Sequence, residues 1–261
     1  MANGSGNKGA PFRAHTEFAQ LVRSIEKQME EFTRPIREAQ KAQSFPEFLF
    51  ADIFENHRRD ERIAKAGWFP HPVLPLAGID AVISEGSATV DDFVREYVCE
   101  NWATIRESIV DSPAFPDVDT EHKETLRQAV VAHEQQLYRC VPRTMFGEIE
   151  MASRQVLKGV PLDNAINAGL KPVLKELGNM PIPALPTDLQ TGALYGLLTG
   201  HIYHDSRHRE TEYGIPNRHD HMHGYKGSHA GFRDSFNMLL LSEVMFRILA
   251  TFVKMRVDED S

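Results

Sequence analysis

The chain has 261 residues, of which 41% are hydrophobic and 25% charged, and a formal net charge of −8. This balance is typical of a globular protein with a sizeable core, in one large domain or two small ones, and it excludes a disordered chain. The negative charge argues against broad, non-specific binding to duplex nucleic acid, so any nucleic-acid contact must be local.

The sequence shows no membrane or export signal. No apolar run approaches the ~20 residues that a membrane span requires, and the start MANGSGNKGAPFR lacks the apolar segment of a signal peptide. We therefore expect a cytoplasmic protein without membrane contact, with a flexible N-terminus over residues 1–14. Cys99 and Cys140 lie in helical patterns without a CxxC pair, so we expect both to be packing residues.

The first half of the chain has a helical pattern. Apolar residues at three- and four-residue steps predict an amphipathic helix from Phe18 to Ile36. Ser44 followed by Pro46 predicts the start of another helix, and Gly67 predicts its end. The proline-rich segment GWFPHPVLPLAG (67–78) predicts an ordered loop. Its aromatic residues either anchor the loop to the core or form the lip of a ligand site.

The second half is also predicted to be helical. A capping box at Thr89 and Asp92 opens a helix, and residues 111–119 (DSPAFPDVD) predict a linker. A helix around Leu126 follows, and Pro142 marks the first turn of the next one. No β-alternation of useful length and no internal repeat appears.

The last predicted helix, from Phe236 to Val253, is apolar on nearly every side. Such a helix is buried in a bundle or in a dimer interface. We therefore predict an all-α helical bundle with a long apolar C-terminal helix, present as a dimer. The predicted division is a flexible segment 1–14, an N-terminal helical region 15–110 and a helical domain 120–258.

Seven of the twelve histidines lie between residues 201 and 229. Helical steps relate His201, His204 and His208, which suits a metal site, but no HExxH motif or nearby cysteine accompanies them. A second interpretation is structural, with histidines that cap helices or fill polar interfaces, and we favour it for His208 and His229. The third interpretation is proton transfer beside an arginine.

The segment PNRHDHMHG (216–224) offers that combination in Arg218 and His223. Arginine presents a charged planar fork that binds phosphate, and histidine gives and takes a proton near pH 7. Metal-free RNA cleavage requires these two kinds of group. Positions five apart on a regular helix lie about 140° apart. The two side chains therefore converge only if the turn is irregular or if a second subunit completes the site.

Arg218-His219-x-x-x-His223, set before a long apolar helix, resembles the R-x4-6-H signature of the HEPN superfamily (higher eukaryotes and prokaryotes nucleotide-binding). The resemblance covers residues 187–255 and extends more loosely over the helices from residue 120. It implies a helical bundle, a homodimer that brings two motifs into one cleft, and metal-independent endoribonuclease activity. Such domains act as toxins, in antiviral (phage) defence and in RNA processing, and some only bind nucleotides or RNA.

The resemblance implies that Arg218 holds the phosphate, that His223 is the acid or base and that His219 supports them. The neighbouring residues predicted to contact the substrate are Asn217, His221 and Lys226. The extra imidazole of His221 leaves open which histidine is the working one. The implied substrate is single-stranded or tRNA-like RNA, no metal or other cofactor is required, and an antitoxin or a defence partner is expected.

A polar turn in GEIEMASRQVL (147–157) adds three candidates, Glu148, Glu150 and Arg154. Either they face the site, where Glu150 and Arg154 would contact the substrate, or they form a solvated helix face. Two rival functions remain. One is a non-catalytic nucleotide-binding, RNA-binding or interaction protein, and the other is a metal-dependent enzyme that uses the histidine cluster.

Overall fold

The structure, a computed structural model, describes residues 47–86, 90–111, 120–156, 197–203, 215–223 and 231–259. Every element within these ranges is helical, which confirms the all-α class for this part of the chain. A π-helical turn at Leu198–Ile202 lies between the fifth and sixth helices. The α-helices are α1 (Glu47–Lys65), α2 (Leu76–Ser84), α3 (Val90–Val110), α4 (Thr120–Glu134), α5 (Cys140–Val156), α6 (Arg218–His223) and α7 (Phe232–Glu259). The predicted helix from Phe18 to Ile36 and most of the predicted linker lie outside the described residues.

Local sequence signals set several helix boundaries. Helix α1 ends just before Gly67, whose φ of 94° is a left-handed conformation that glycine adopts without strain. The predicted start at Ser44 and Pro46 lies outside the described residues. Helix α5 begins two residues before Pro142. A proline is tolerated in the first turn of a helix because the N–H groups there have no partner within the helix, so the missing N–H costs no hydrogen bond. The loop prediction for residues 67–78 was too long, because α2 already begins at Leu76.

Helix α7 is the centre of the packing and contacts α3, α4 and α5. Its residues 235–250 are buried within one chain except for the half-buried Arg247, so burial of these residues does not require a second copy. The prediction of a long apolar helix needs correction, because α7 buries four polar residues that all have hydrogen-bond partners in the core: Ser235, Asn237, Ser242 and Glu243. Among the described helices, none is long and apolar enough to cross a membrane.

The loop between α1 and α2 is anchored to α7. The side-chain amide of Asn237 donates to the carbonyl of Gly67 at 2.8 Å, and its oxygen accepts the N–H of Phe69 at 2.9 Å. Trp68 and Phe69 are 1% and 0% exposed. The aromatic residues therefore anchor the loop to the core, which confirms that interpretation over a ligand lip.

The hydrophobic core is shared by helices from both predicted regions. One cluster of buried side chains includes Ile63 and Ile105 from the first region and Leu126 and Phe246 from the second. The described helices thus pack together across the predicted linker, and the division into two domains stays a prediction.

The two cysteines do not pack as predicted. Cys99 on α3 and Cys140 at the start of α5 are both free and exposed. Each cysteine belongs to a helix that has one buried and one exposed face. The sequence pattern did not show that the cysteine lies on the exposed face.

His133 on α4 is buried at 5% exposure and hydrogen-bonds through Nδ1 to Ser235 Oγ at 2.8 Å. Burial lowers its pKa from 6.5 to about 4, with the charge of Glu134 acting in the opposite direction. Between these two values the unfolded chain binds a proton that the folded chain does not. The free energy of unfolding is therefore expected to fall by about 3 kcal/mol as the pH drops from 6.5 to 4.

Urea titrations at several pH values measure the contribution of His133 to the pH dependence of stability. The variant His133→Phe removes that contribution. The variant replaces the imidazole by an aromatic ring that does not titrate. Its stability should therefore depend less on pH than that of the wild type between pH 6.5 and 4. Equal slopes for the two proteins in this range would contradict the expected shift.

Candidate functional site

Asn217 fixes the start of helix α6, which carries the RHDHMH stretch. Its side-chain oxygen accepts the N–H of Asp220 at 3.2 Å, and its carbonyl accepts the N–H of His221 at 3.2 Å. A side-chain oxygen in this N-cap position satisfies an N–H of the first turn. The amide of Asn217 also donates to the carbonyl of His201, which ties α6 to the π-helical turn. Asn217 is 2% exposed and holds the backbone of the site, and its predicted contact with the substrate stays a prediction.

Arg218 is held by a carboxylate from the neighbouring helix. Its Nε donates to Oε1 of Glu150 on α5, and the two side chains are 22% and 12% exposed. A guanidinium group carries five N–H donors, so one bond to Glu150 orients it and leaves further donors for a phosphate. The structure thus brings together two of the predicted site residues.

Tyr203 is close enough to this ion pair for both charges to act on it, and it was missed by the sequence analysis. It is 4% exposed, and its ring meets that of Phe146 edge-on at 6.1 Å between centroids. Burial and the nearby charge of Glu150 raise the pKa of Tyr203, while Arg218 lowers it, so the phenol stays protonated. The only signal in the sequence was its position beside the histidine cluster.

His221 is half-buried and also contacts the ring of Phe146. The two rings stack with 6.3 Å between centroids and 30° between planes. Burial lowers the pKa of His221, and the charge of Arg143 lowers it further, against the opposing charges of Asp234 and Asp220. His221 is therefore mainly uncharged at neutral pH. Arg143, an exposed residue in the first turn of α5, was also missed by the sequence analysis.

Three predicted residues are described only in part or not at all. Helix α6 includes the backbone of His219 and His223, while their side chains and the whole of Lys226 lie outside the described residues. Positions 218 and 223 belong to one α-helix and so lie about 140° apart around its axis. The roles of these residues stay predictions.

The polar turn of α5 divides between two faces. Arg154 is exposed and follows Glu150 by four residues, which places the two positions on the same face of the helix. Glu148 faces the core instead, where its Oε1 lies 2.6 Å from Nδ1 of the buried His122. Glu148 therefore does not join the site at Arg218.

Within the ranges that the structure describes, no three His, Cys, Asp or Glu side chains are grouped closely enough to hold a metal ion. His204, His208 and His229 lie outside those ranges, as do the side chains of His219 and His223. The metal interpretation of the histidine cluster therefore stays open to experiment.

Comparisons of the whole chain with models of protein families, with curated proteins and with solved structures found no match. The resemblance to HEPN domains rests on the motif at Arg218 and His223 and on its helical setting.

Proposed function

We propose that the chain is a cytoplasmic, metal-independent endoribonuclease of the HEPN type that acts on single-stranded or tRNA-like RNA. The observation that carries the proposal is the partly buried pair of Arg218 and Glu150, at the start of a helix that contains three histidines. A guanidinium held by a carboxylate on a capped helix is preorganised to bind a phosphate. The adjacent imidazoles supply acid–base groups for the same strand.

The proposed reaction needs only protein groups and the RNA itself. The ribose 2′-oxygen attacks the neighbouring phosphorus, a base takes its proton, and an acid protonates the leaving 5′-oxygen. The bond from phosphorus to the 5′-oxygen breaks, which yields a 2′,3′-cyclic phosphate and a 5′-hydroxyl. Arg218 stabilises the charge that builds on the phosphate oxygens, and His223 transfers a proton with support from His219. Lys226 and Arg154 add positive charge for the flanking phosphates.

The biological setting that the resemblance suggests is that of a toxin or a phage-defence effector. An RNase of this kind requires control in the cell, so an antitoxin or another defence partner belongs to the proposal. A non-catalytic RNA-binding role is the second candidate. It is favoured by the bond of Arg218 to Glu150, because that bond already uses one of the donors that would stabilise charge on the phosphate.

The proposed active form is a homodimer, for a geometric reason. Positions 218 and 223 lie about 140° apart on α6, so a two-fold axis would let Arg218 of one protomer work with His223 of its partner. Light scattering at micromolar concentration should therefore report about twice the 29.5 kDa of one chain. A monomer that still cuts RNA would show that one chain holds a complete site.

The metal requirement and the chemistry of the ends test the proposed reaction together. Cleavage of total RNA and tRNA should persist in EDTA and leave 2′,3′-cyclic phosphate ends, while DNA of the same sequence survives. The rate should change over about pH 6 to 7, where an unperturbed imidazole titrates. Activity that EDTA abolishes, that zinc or manganese restores and that leaves 3′-hydroxyl ends would contradict the proposal. RNA that binds without being cut would favour the second candidate.

A further inference from the structure

Three half-buried aromatic rings surround His133 at the surface, between the end of α4 and the start of α7. The ring centroid of His133 lies 5.3 Å from Trp102, 5.4 Å from Tyr138 and 5.1 Å from Phe232. We call Trp102, Tyr138 and Phe232 together the aromatic patch. Aromatic rings that remain partly exposed offer faces or edges to a planar ligand.

The aromatic patch is held rigidly from below and from its sides. Phe232 stacks on the fully buried Phe236 with 5.9 Å between centroids and 9° between planes. The indole N–H of Trp102 donates to Glu134 at 2.9 Å. Tyr138 meets Phe232 edge-on at 6.1 Å. A ligand that stacks here would lose little free energy to the ordering of these side chains.

Exposed positive charge accompanies the rings. The guanidinium carbon of Arg95 lies 4.8 Å from the centroid of Phe232, in a cation–π arrangement. Two acidic neighbours of the rings are paired, since Glu134 contacts Arg106 at 3.3 Å and Asp91 contacts Arg233 at 3.1 Å. The exposed side chains of Arg139 and Arg143 lie on either side of the start of α5.

The aromatic patch and the candidate site both include residues at or next to the starts of α5 and α7. Phe232 and Asp234 belong to the same turn of α7, and the charge of Asp234 acts on His221. Tyr138 lies two residues before the start of α5, whose first turn contains Arg143, and the charge of Arg143 also acts on His221. The patch and His221 are therefore linked through the starts of α5 and α7.

We propose that the aromatic patch, with Arg95, stacks a nucleobase of the single-stranded RNA whose phosphate lies at Arg218. The inference rests on the proposed function, because it takes its occupant from the RNA substrate of that site. Aromatic rings and guanidinium planes are the groups on which proteins stack unpaired bases, and nearby arginines follow the backbone. The patch would select unpaired RNA, because a base inside a duplex has no free face.

Tryptophan fluorescence can report binding at the aromatic patch directly. The chain has two tryptophans, and only Trp102 is partly exposed, since Trp68 is 1% exposed. A 2′-O-methyl oligoribonucleotide, which cannot be cut by attack of the 2′-oxygen, should quench the emission as it binds. The Trp102→Phe variant should lose most of this quenching, which identifies its source.

Tyr138→Ala is expected to weaken the binding of this oligonucleotide by about 10-fold, because the variant loses one stacking surface. Tyr138→Phe should bind as the wild type does. Leu137→Ala is the matched control, because Leu137 precedes Tyr138 and is 51% exposed. Arg95→Ala, at an exposed position, should also weaken binding, and it decides the matter if Tyr138→Ala fails to fold.

Unchanged affinity in folded Tyr138→Ala and in Arg95→Ala would overturn the inference. A Tyr138→Ala variant that turns a dimer into a monomer in light scattering, with unchanged affinity for RNA, would also overturn it, because the patch would then contact protein. Failure of the proposed function is distinguishable from both. Binding that depends on Tyr138, in a protein that cuts no RNA, would support the stacking patch and contradict the RNase.

Discussion

Replacing Arg218 or His223 by alanine is expected to lower RNA cleavage by about 10²- to 10⁴-fold while the fold stays intact. The first change removes the guanidinium that stabilises charge on the phosphate, and the second removes the group that transfers the proton. Initial rates on a labelled RNA in EDTA measure the loss, and circular dichroism of each variant checks its helices.

The partner of Arg218 requires a control of its own. Arg218→Ala leaves the partly buried carboxylate of Glu150 without this cation, so the single variant could lose activity through a local rearrangement. The double variant Arg218→Ala/Glu150→Gln removes that charge as well and should be as inactive as Arg218→Ala. Recovery of activity in the double variant would show that Arg218 acts by neutralising Glu150 and not by holding a phosphate.

Single variants distinguish the roles of His221, His223 and His229. His221→Ala should lose less activity than His223→Ala, because the His221 ring packs on Phe146 and supports the helix. His229→Ala should behave as the wild type does. An inactive His221→Ala beside an active His223→Ala would assign the proton transfer to the other imidazole.

Glu243→Ala is expected to lower the free energy of unfolding by about 3–5 kcal/mol, the usual loss when one partner of a buried ion pair is removed. Glu243 is 1% exposed, accepts a hydrogen bond from His71 at 2.9 Å and pairs with Arg247. His71 Nδ1 accepts the N–H of Val73, which fixes the donor hydrogen on Nε2 toward Glu243. The variant removes an acceptor that two core groups share, and urea titration measures the loss.

Glu61→Ala is the matched control for this loss. Glu61 pairs with Lys65 at 2.7 Å, but both side chains are about half exposed, so the change should cost less than about 1 kcal/mol. Similar losses for Glu61→Ala and Glu243→Ala would contradict the importance of the buried pair.

The carboxylate of Glu243 should also make the free energy of unfolding decrease at acid pH. Burial raises the pKa of Glu243, but the hydrogen bonds from His71 and Arg247 and the charge of Arg247 outweigh it and lower the pKa from its usual 4.5. A depressed pKa means that the stabilisation is fully present above about pH 4.5 and is lost as the pH falls through the lower, folded value. Glu243→Gln cannot titrate, so its stability should depend less on pH in this acid range.

Local signals in the sequence were sufficient for several parts of the fold. The glycine that ends α1, the proline in the first turn of α5 and the apolar stripes of α3 and α4 each act within a few residues, because helix capping and helical periodicity are local. The motif at Arg218 and the polar turn at Glu150 were also found from residue types at short spacings along the chain. Arg143 and Tyr203 were missed because their place in the site depends on how α5 packs against α6 and the π-helical turn.

The sequence by itself determined that the described part of the chain is helical, where α1 ends and α5 begins, and which residue types the HEPN-like motif contains. Only the tertiary structure decided that Glu150 meets Arg218, 68 positions away, that Glu148 turns to His122, and that His71 meets Glu243, 172 positions away. The physical reason is that periodicity specifies which residues share a face of one helix but not which faces meet. That choice is made when all the helices bury their apolar surface together, and a polar residue on such a face enters the core only where the packing supplies its partner.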